Sequence, residues 1–374
     1  MHPVNKMRSR NALRGLPKTV HGGQAWKLDG VEDYSHNLNP FGPPADLDEI
    51  ILSAVSEIGH YPDDSCIKLK ETIARTFSVD TENITIGAGS SDIIRNFPNT
   101  FINPGDKVLL SRPSFAEYGQ QCRIVGADIW WNDLTEDEDF RLDVDKISEF
   151  IDMGIKALYI CNPNNPTGRV EPRDKILKIV KECEEHDTLV FLDETLLELV
   201  ADYDKISCAK YVKQYKNLIV AGSLTKSFAI PGIRIGFGFG DKDLIAEMEK
   251  VRMTWNVGQI EQTVARVLIG ERMDYVHTAA RIMFDESKVM NKELKALDFP
   301  VGELSDSFFY FDPLRLLGIK SAEFQKLMLR DNVMVRDCAS FGYPFEWYVR
   351  FSVKDRERND LFIKAVENSM KALR

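Results

Sequence analysis

The run Ala157-Leu-Tyr-Ile-Cys161 leads into the polar loop Asn162-Pro-Asn-Asn-Pro-Thr-Gly168. A helical stretch from Pro172 to His186 follows, and then a second run, Thr188-Leu-Val-Phe-Leu-Asp193. Both runs are continuously apolar rather than alternating, the pattern of strands covered on both faces. A helix with a charged outer face between two such strands reads as the crossover that parallel pairing requires. Working outward, the same kind of run recurs at Lys107-Val-Leu-Leu-Ser111, Leu218-Ile-Val-Ala-Gly222 and Arg234-Ile-Gly-Phe-Gly-Phe239. Ile84-Thr-Ile-Gly-Ala-Gly89 leads into the helical Asp92-Ile-Ile-Arg95. The alternation predicts an α/β unit with a mostly parallel sheet. Ligands of such sheets bind beyond the carboxyl ends of the strands, so the loops there are the place to look for function.

After Gly240 the pattern changes. Asp241 to about Leu297 reads as helix throughout. Short strands follow at Ser307-Phe-Phe-Tyr-Phe311, Val333-Met-Val-Arg336 and Trp347-Tyr-Val-Arg-Phe-Ser-Val353. An amphipathic helix from about Arg356 to Leu373 closes the chain, with Leu361, Phe362, Ala365 and Met370 expected to face a smaller α+β domain. The expected division is an N-terminal arm (1–46) packing with the small domain and a partner subunit, a large domain (47–284) and a small domain (285–374). The acidic stretch Glu136 to Asp139 is expected to be a solvated loop.

Composition narrows the class. The 374 residues are 44% hydrophobic and 28% charged, which excludes a mainly disordered chain. A net charge of -10 argues against nonspecific binding to nucleic acid or an anionic membrane. No run of about 18 apolar residues predicts a membrane span. The six cysteines contain no C-x-x-C pair, so zinc and redox motifs lack support. Scattered thiols and a basic N-terminus without an apolar core segment suggest a cytoplasmic protein.

Four features fall on strand ends of the α/β region. Gly87-Ala-Gly-Ser-Ser-Asp92 joins a strand to a helix, where glycines allow a tight turn and free helix N–H groups can meet an anion. By itself it equally reads as a plain turn. The Asn162–Gly168 loop holds amides rigidly after a buried strand. Asp193 ends an apolar strand, where a carboxylate is costly unless it caps a helix or meets a cation from the protein or a cofactor. Ser223-Leu-Thr-Lys226 with Gly232-Ile-Arg-Ile-Gly236 places a lysine just past a strand, near a serine and an arginine suited to phosphate. A partly desolvated lysine near other cations has a lowered pKa and can form a Schiff base. Together these supply what pyridoxal phosphate needs: a phosphate cradle, a donor to the ring oxygen, a carboxylate for the ring nitrogen and an amine for the aldehyde.

In this combination the sequence resembles the fold-type I pyridoxal-phosphate enzymes of the aminotransferase class I/II group, from about His21 to the C-terminus. The resemblance implies a large domain built on a seven-stranded, mostly parallel sheet and a smaller α+β C-terminal domain. It implies that Lys226 binds the cofactor aldehyde, Asp193 pairs with the pyridinium nitrogen and Asn165 bonds the ring hydroxyl. Ser90, Ser91, Ser223 and Arg234 would hold the phosphate, and Phe115 would stack on the ring. Tyr61 matches a tyrosine that reaches the neighbouring subunit's cofactor phosphate, implying a homodimer with shared active sites.

Two branches of the group compete, histidinol-phosphate aminotransferases and the threonine-phosphate decarboxylases of cobalamin biosynthesis. His21-Gly22-Gly23, Asn37-Leu-Asn-Pro-Phe-Gly42, Phe115-Ala-Glu-Tyr-Gly119 and Trp255-Asn-Val257 resemble the decarboxylases. Leu196 stands where related aminotransferases usually carry a tyrosine donating to the ring oxygen. The implied substrate is a small phosphorylated amino acid, threonine phosphate or alternatively serine phosphate. It would be held by His21, Gly22, Asn37, Asn165, Arg336 and Arg350, with Arg350 on the carboxylate and Arg336 with His21 on the phosphate. Taken without the resemblance, His21 reads as an exposed turn residue, Arg336 equally as a strand-end ion pair, and Tyr61 and Phe115 as core or interface aromatics.

Overall fold

A computed structural model describes residues 10–19 and 25–373 of the chain. In chain order its strands are β1 (Glu32–Asp33), β2 (Ile84–Gly87), β3 (Lys107–Arg112), β4 (Asp128–Asp133), β5 (Ala157–Cys161), β6 (Leu189–Asp193), β7 (Leu218–Ser223), β8 (Gly236–Gly240), β9 (Phe309–Pro313), β10 (Val333–Met334), β11 (Arg336–Asp337) and β12 (Tyr348–Ser352). The continuous apolar runs have the consequence their pattern predicts. On β5 and β6, Leu158, Ile160, Val190 and Leu192 enter one buried cluster, while Tyr159 and Phe191 enter another on the opposite face. Helix Arg173–Glu185 lays Ile176, Ile179, Val180 and Cys183 on the first face. Helix Ser90–Phe101 lays Ile93, Ile94 and Phe97 on the second.

The resulting seven-stranded sheet has the order β2-β8-β7-β6-β5-β3-β4. Only β8 runs antiparallel to its neighbours. From β3 the chain steps outward to β4, then returns past β3 to β5 and continues the other way. The order therefore reverses between β3 and β5, and the crevice beyond their carboxyl ends is where such a sheet takes its ligand. The polar loop sits there, and Asn164 Nδ2 donates to the Pro113 carbonyl at 3.1 Å and to Thr167 Oγ1 at 3.0 Å. β4 is absent from the apolar runs picked out by sequence. It is an edge strand, Asp128-Ile-Trp-Trp-Asn-Asp133, charged at both ends with only Asn132 buried.

The region after Gly240 is three helices, Lys242–Val251, Gln259–Glu271 and Met273–Ala296. Trp255 lies in the first break with a positive φ of 54°. The third helix runs between the cores, with Met283 in the large sheet's cluster and Met290 and Leu294 in that of the small sheet. The small sheet has the order β11-β12-β9, and β1 pairs with β10 in parallel. Phe362, Ala365 and Met370 of the closing helix, Arg356–Leu373, are buried in this core. Leu361 is not: it is 56% exposed, because one residue earlier on a helix lies about 100° off the buried stripe. The Glu136 to Asp139 stretch is exposed but also tethered, since Tyr348 donates to Glu136 and Arg169 pairs with Asp139. Among the described residues no helix is long and apolar enough to cross a membrane.

The arm touches both halves of the chain. Arg10 Nη2 donates to the Ile124 carbonyl at 2.8 Å and Gln120 Nε2 to the Pro17 carbonyl at 3.1 Å. Further along, Tyr34 is fully buried against Phe362, and Ser352 N donates to the Tyr34 carbonyl at 3.0 Å.

Glu198 is buried in the large domain, with Oε2 lacking a partner and its pKa pushed up to about 7 by burial. A carboxyl raised above its unfolded value withdraws stability as pH climbs from the unfolded pKa through the folded one. Glu198→Gln is therefore expected to raise the melting temperature at pH 8, by an amount reflecting on the order of 2 kcal/mol, and to leave it unchanged near pH 4. Thermal melts across that range check this.

Candidate active site

The carboxyl ends of the central strands deliver the first groups. β6 ends at Asp193, only 5% exposed. Its Oδ2 accepts from Tyr118 Oη at 2.7 Å and its Oδ1 from the Thr195 backbone N–H at 2.9 Å. Burial pushes its pKa up, and among the described residues no lysine or arginine pairs with it. Tyr118 stays protonated, its own pKa driven well up by burial and by Asp193, so it remains a donor. Beside Asp193 on β5 is Cys161, whose thiol is pushed up to about 12 by burial and then by Asp193. It stays un-ionised and does not compete as a nucleophile.

β7 ends at Ser223, which caps the one-turn helix Leu224–Ser227. Lys226 sits on this turn. Burial, then Arg350 and Arg234, push its amine down to about 8, so a useful fraction is unprotonated near neutrality. The Ser223 hydroxyl lies 3.2 Å from the Ile235 carbonyl, to which it donates, and accepts from Thr225 N at 3.2 Å, which fixes it at the start of this turn.

The anion cradle forms where helix Ser90–Phe101 begins. Gly89 has a φ of 81°, and a Cβ there would lie 2.5 Å from Arg234 Nη2. A Cβ on Gly236 would lie 2.3 Å from Ser90 N. Only glycines let the turn and the β8 backbone close on each other here. Arg234 Nη2 donates to Ser91 Oγ at 3.3 Å, fixing the guanidinium over the helix start.

Residues of the three-stranded sheet complete the site. Arg350 on β12 is 6% exposed and reaches across the crevice. Its Nη1 donates to Asn165 Oδ1 at 2.6 Å, leaving the Asn165 amide N–H groups to donate elsewhere. Its Nη2 donates to the Ser35 carbonyl, and its Nε is buried without a partner. Burial lowers its pKa to about 10. Arg336 Nη2 donates to Ser340 Oγ at 2.6 Å.

These groups surround one cavity of about 400 Å³, lined by Lys226, Asp193, Asn165, Phe115, Arg336 and Arg350 among others. Ser90, Asn37 and Leu196 also line it, and the buried Asn37 Oδ1 has no partner. Ser91 and Arg234 join it through the cradle. Tyr61 does not line it: it is 71% exposed and stacks on Trp255 at 4.2 Å between ring centroids. His21 and Gly22 lie outside the described residues. Sequence reasoning missed Tyr118 as a site residue. It lies three positions beyond Phe115 at the start of helix Ala116–Val125, a spacing that puts the two side by side, with ring centroids 5.6 Å apart. It also missed His36, which lines the cavity and whose pKa burial lowers.

Residues 33–366 match the family model described as aminotransferase class I and II. A Caldanaerobacter subterraneus protein provisionally named threonine-phosphate decarboxylase is 33% identical over 92% of each chain. A histidinol-phosphate aminotransferase from Methanococcus maripaludis is 30% identical, over 88% of this chain and 87% of its own. The crystal structure of the histidinol-phosphate aminotransferase from Clostridium acetobutylicum superposes with a TM-score of 0.83 at 27% identity, covering 91% of this chain and 99% of that one. The chain belongs to the aminotransferase class I and II family and is a pyridoxal-phosphate-dependent enzyme. The residues present fit that cofactor. The buried carboxylate of Asp193 calls for a cation such as a protonated ring nitrogen, the cradle for a phosphate, and the Lys226 amine for an aldehyde.

Because Arg350 is the strongest charge lowering the Lys226 amine, its neutralisation should move that amine upward. Arg350→Gln keeps a donor for Asn165 and is expected to shift the midpoint of the pH-dependent rate of cofactor uptake to higher pH. At pH 7 uptake should slow by roughly threefold or more, since the unprotonated amine is the reacting form. Stopped-flow absorbance against pH measures this.

Proposed function

We propose that the enzyme decarboxylates L-threonine O-3-phosphate to (R)-1-aminopropan-2-yl phosphate, a step of cobalamin biosynthesis. When bound, pyridoxal phosphate supplies the electron sink for the bond broken at the substrate Cα. The chain's residues decide which bond that is, by orienting the substrate so that one bond stands perpendicular to the ring. Arg350 and Arg336 line the same cavity as Ser90 of the cradle and give a doubly anionic substrate a place for both its carboxylate and its phosphate. We assign Arg350 to the carboxylate and Arg336, with His21, to the phosphate.

The observation that carries this reading is Leu196. It lines the cavity three residues after Asp193, where related aminotransferases usually carry a tyrosine hydroxyl, and it offers no donor. After carbon dioxide leaves, Cα must gain a proton. Lys226, with its amine near 8, can hold and deliver one at Nζ. The relative provisionally named threonine-phosphate decarboxylase supports the same assignment.

We further propose that the active form is a homodimer in which Tyr61 serves the partner's site. Tyr61 and Trp255 form an exposed aromatic stack, and Ile58 and Met253 beside them in sequence are 57% and 65% exposed. An exposed apolar surface of this kind suits a contact with a second copy.

Incubating the cofactor-loaded protein with threonine phosphate is expected to release carbon dioxide without 2-oxoglutarate. Amino transfer between histidinol phosphate and 2-oxoglutarate, with no carbon dioxide from threonine phosphate, contradicts the decarboxylase reading and supports the aminotransferase. Carbon dioxide from serine phosphate in preference to threonine phosphate identifies the third activity.

A further inference from the structure

We propose that Asn39 is a positioning residue that holds the Lys226 turn in register with Arg350. This rests on reading Lys226 as the lysine that takes the cofactor. Lys226 stands on a helix of one turn, Leu224–Ser227, followed by Ala229 with a positive φ of 51°. One turn is too short to be stable alone, and its last carbonyls need partners from outside. Asn39 meets two of them. Its backbone N–H donates to the Lys226 carbonyl at 2.9 Å. Its Nδ2 donates to the Ser227 carbonyl at 2.8 Å, and its Oδ1 accepts from Phe41 N at 3.0 Å. The residue is 2% exposed. Its amide is committed on both sides to backbone, so its role is to locate the chain around it.

The same segment is bonded at its other end to the small domain. The Tyr34 carbonyl accepts from Ser352 N at 3.0 Å, and the Ser35 carbonyl accepts from Arg350 Nη2. Beyond Asn39, the Pro40 carbonyl accepts from Arg358 Nη2 at 2.6 Å. Residues 34–40 thus form a strap from β12, which carries Arg350, to the turn that carries Lys226. Asn37, between the two anchorages, lines the cavity. The separation of the amine from the buried arginine is set by this short backbone and its hydrogen bonds. The covalent path from position 226 to position 350 is far longer and passes from the seven-stranded to the three-stranded sheet.

Positioning errors of about 1 Å cost rate by as much as a hundredfold. Asn39→Asp keeps the acceptor for Phe41 N but sets a carboxylate against the Ser227 carbonyl, where a donor is required. Asn39→Ser keeps a small side chain that can both accept and donate. In the cofactor-free protein, Asn39→Asp is expected to speed amide hydrogen exchange in the peptide spanning 224–230 at least tenfold, with exchange in the β5 and β6 core unchanged. In the loaded enzyme, kcat should fall tenfold to a hundredfold while KM changes less than threefold, because the strap's bonds to β12 remain. Asn39→Ser should recover part of both. Wild-type exchange over 224–230 together with wild-type kcat in Asn39→Asp overturns the proposal. So does a slowing of kcat with uniform loss of exchange protection across the sheet. If Asn39→Asp does not fold, Asn39→Ser carries the test alone, and wild-type values in it overturn the proposal. Failure of the underlying reading shows separately: Lys226→Ala would then still take up the cofactor covalently.

Discussion

The site is organised around a buried carboxylate that pairs with no lysine or arginine among the described residues. Asp193 ends a strand enclosed on both faces, receives two hydrogen bonds from Tyr118 and Thr195, and is pushed by burial toward the neutral form. Two hydrogen bonds do not offset the removal of a full charge from water. The arrangement becomes favourable when a cation fills the space beside it, and a protonated pyridine nitrogen is such a cation. Strand order, the rigid polar loop and the helix start all place their groups around that position.

The cations of the site are kept apart from Asp193. Lys226 and Arg350 each have lowered pKa values because burial penalises their charge, and the arginine's charge also lowers the amine. An anion beside Arg350 would reduce that repulsion and favour a proton on Lys226. The cradle at Gly89, Ser90, Ser91 and Arg234 offers a further place for an anion, built where a helix begins.

The sequence made much of this legible because burial on both faces leaves a mark in composition. β5, β6 and β7 are unbroken apolar runs, and Asn165, Asp193 and Lys226, at or just beyond their ends, do meet at one cavity. The same signal overlooked β4, an edge strand with exposed aspartates at both ends and half-buried tryptophans between them. Residues that act by what they touch were also overlooked. Tyr118 looks like any helical aromatic until Asp193 is seen beneath its hydroxyl, and Asn39 looks like a turn residue until the Lys226 turn is seen against it. Ser223 also caps the Lys226 turn, a role that a serine before a short helix can take and that the motif alone does not reveal. The choice between decarboxylation and amino transfer depends on a few wall residues and on the angle at which a substrate is held, which strand periodicity does not encode.

The most direct measurement of the central claim is the nitrogen-15 chemical shift of ring-labelled pyridoxal phosphate bound to the protein, followed from pH 6 to pH 9. Pairing with Asp193 predicts a protonated ring nitrogen across the whole range, and loss of that protonation in Asp193→Asn. An unprotonated nitrogen in the wild-type enzyme at pH 7, or a signal indifferent to Asp193→Asn, would contradict the account.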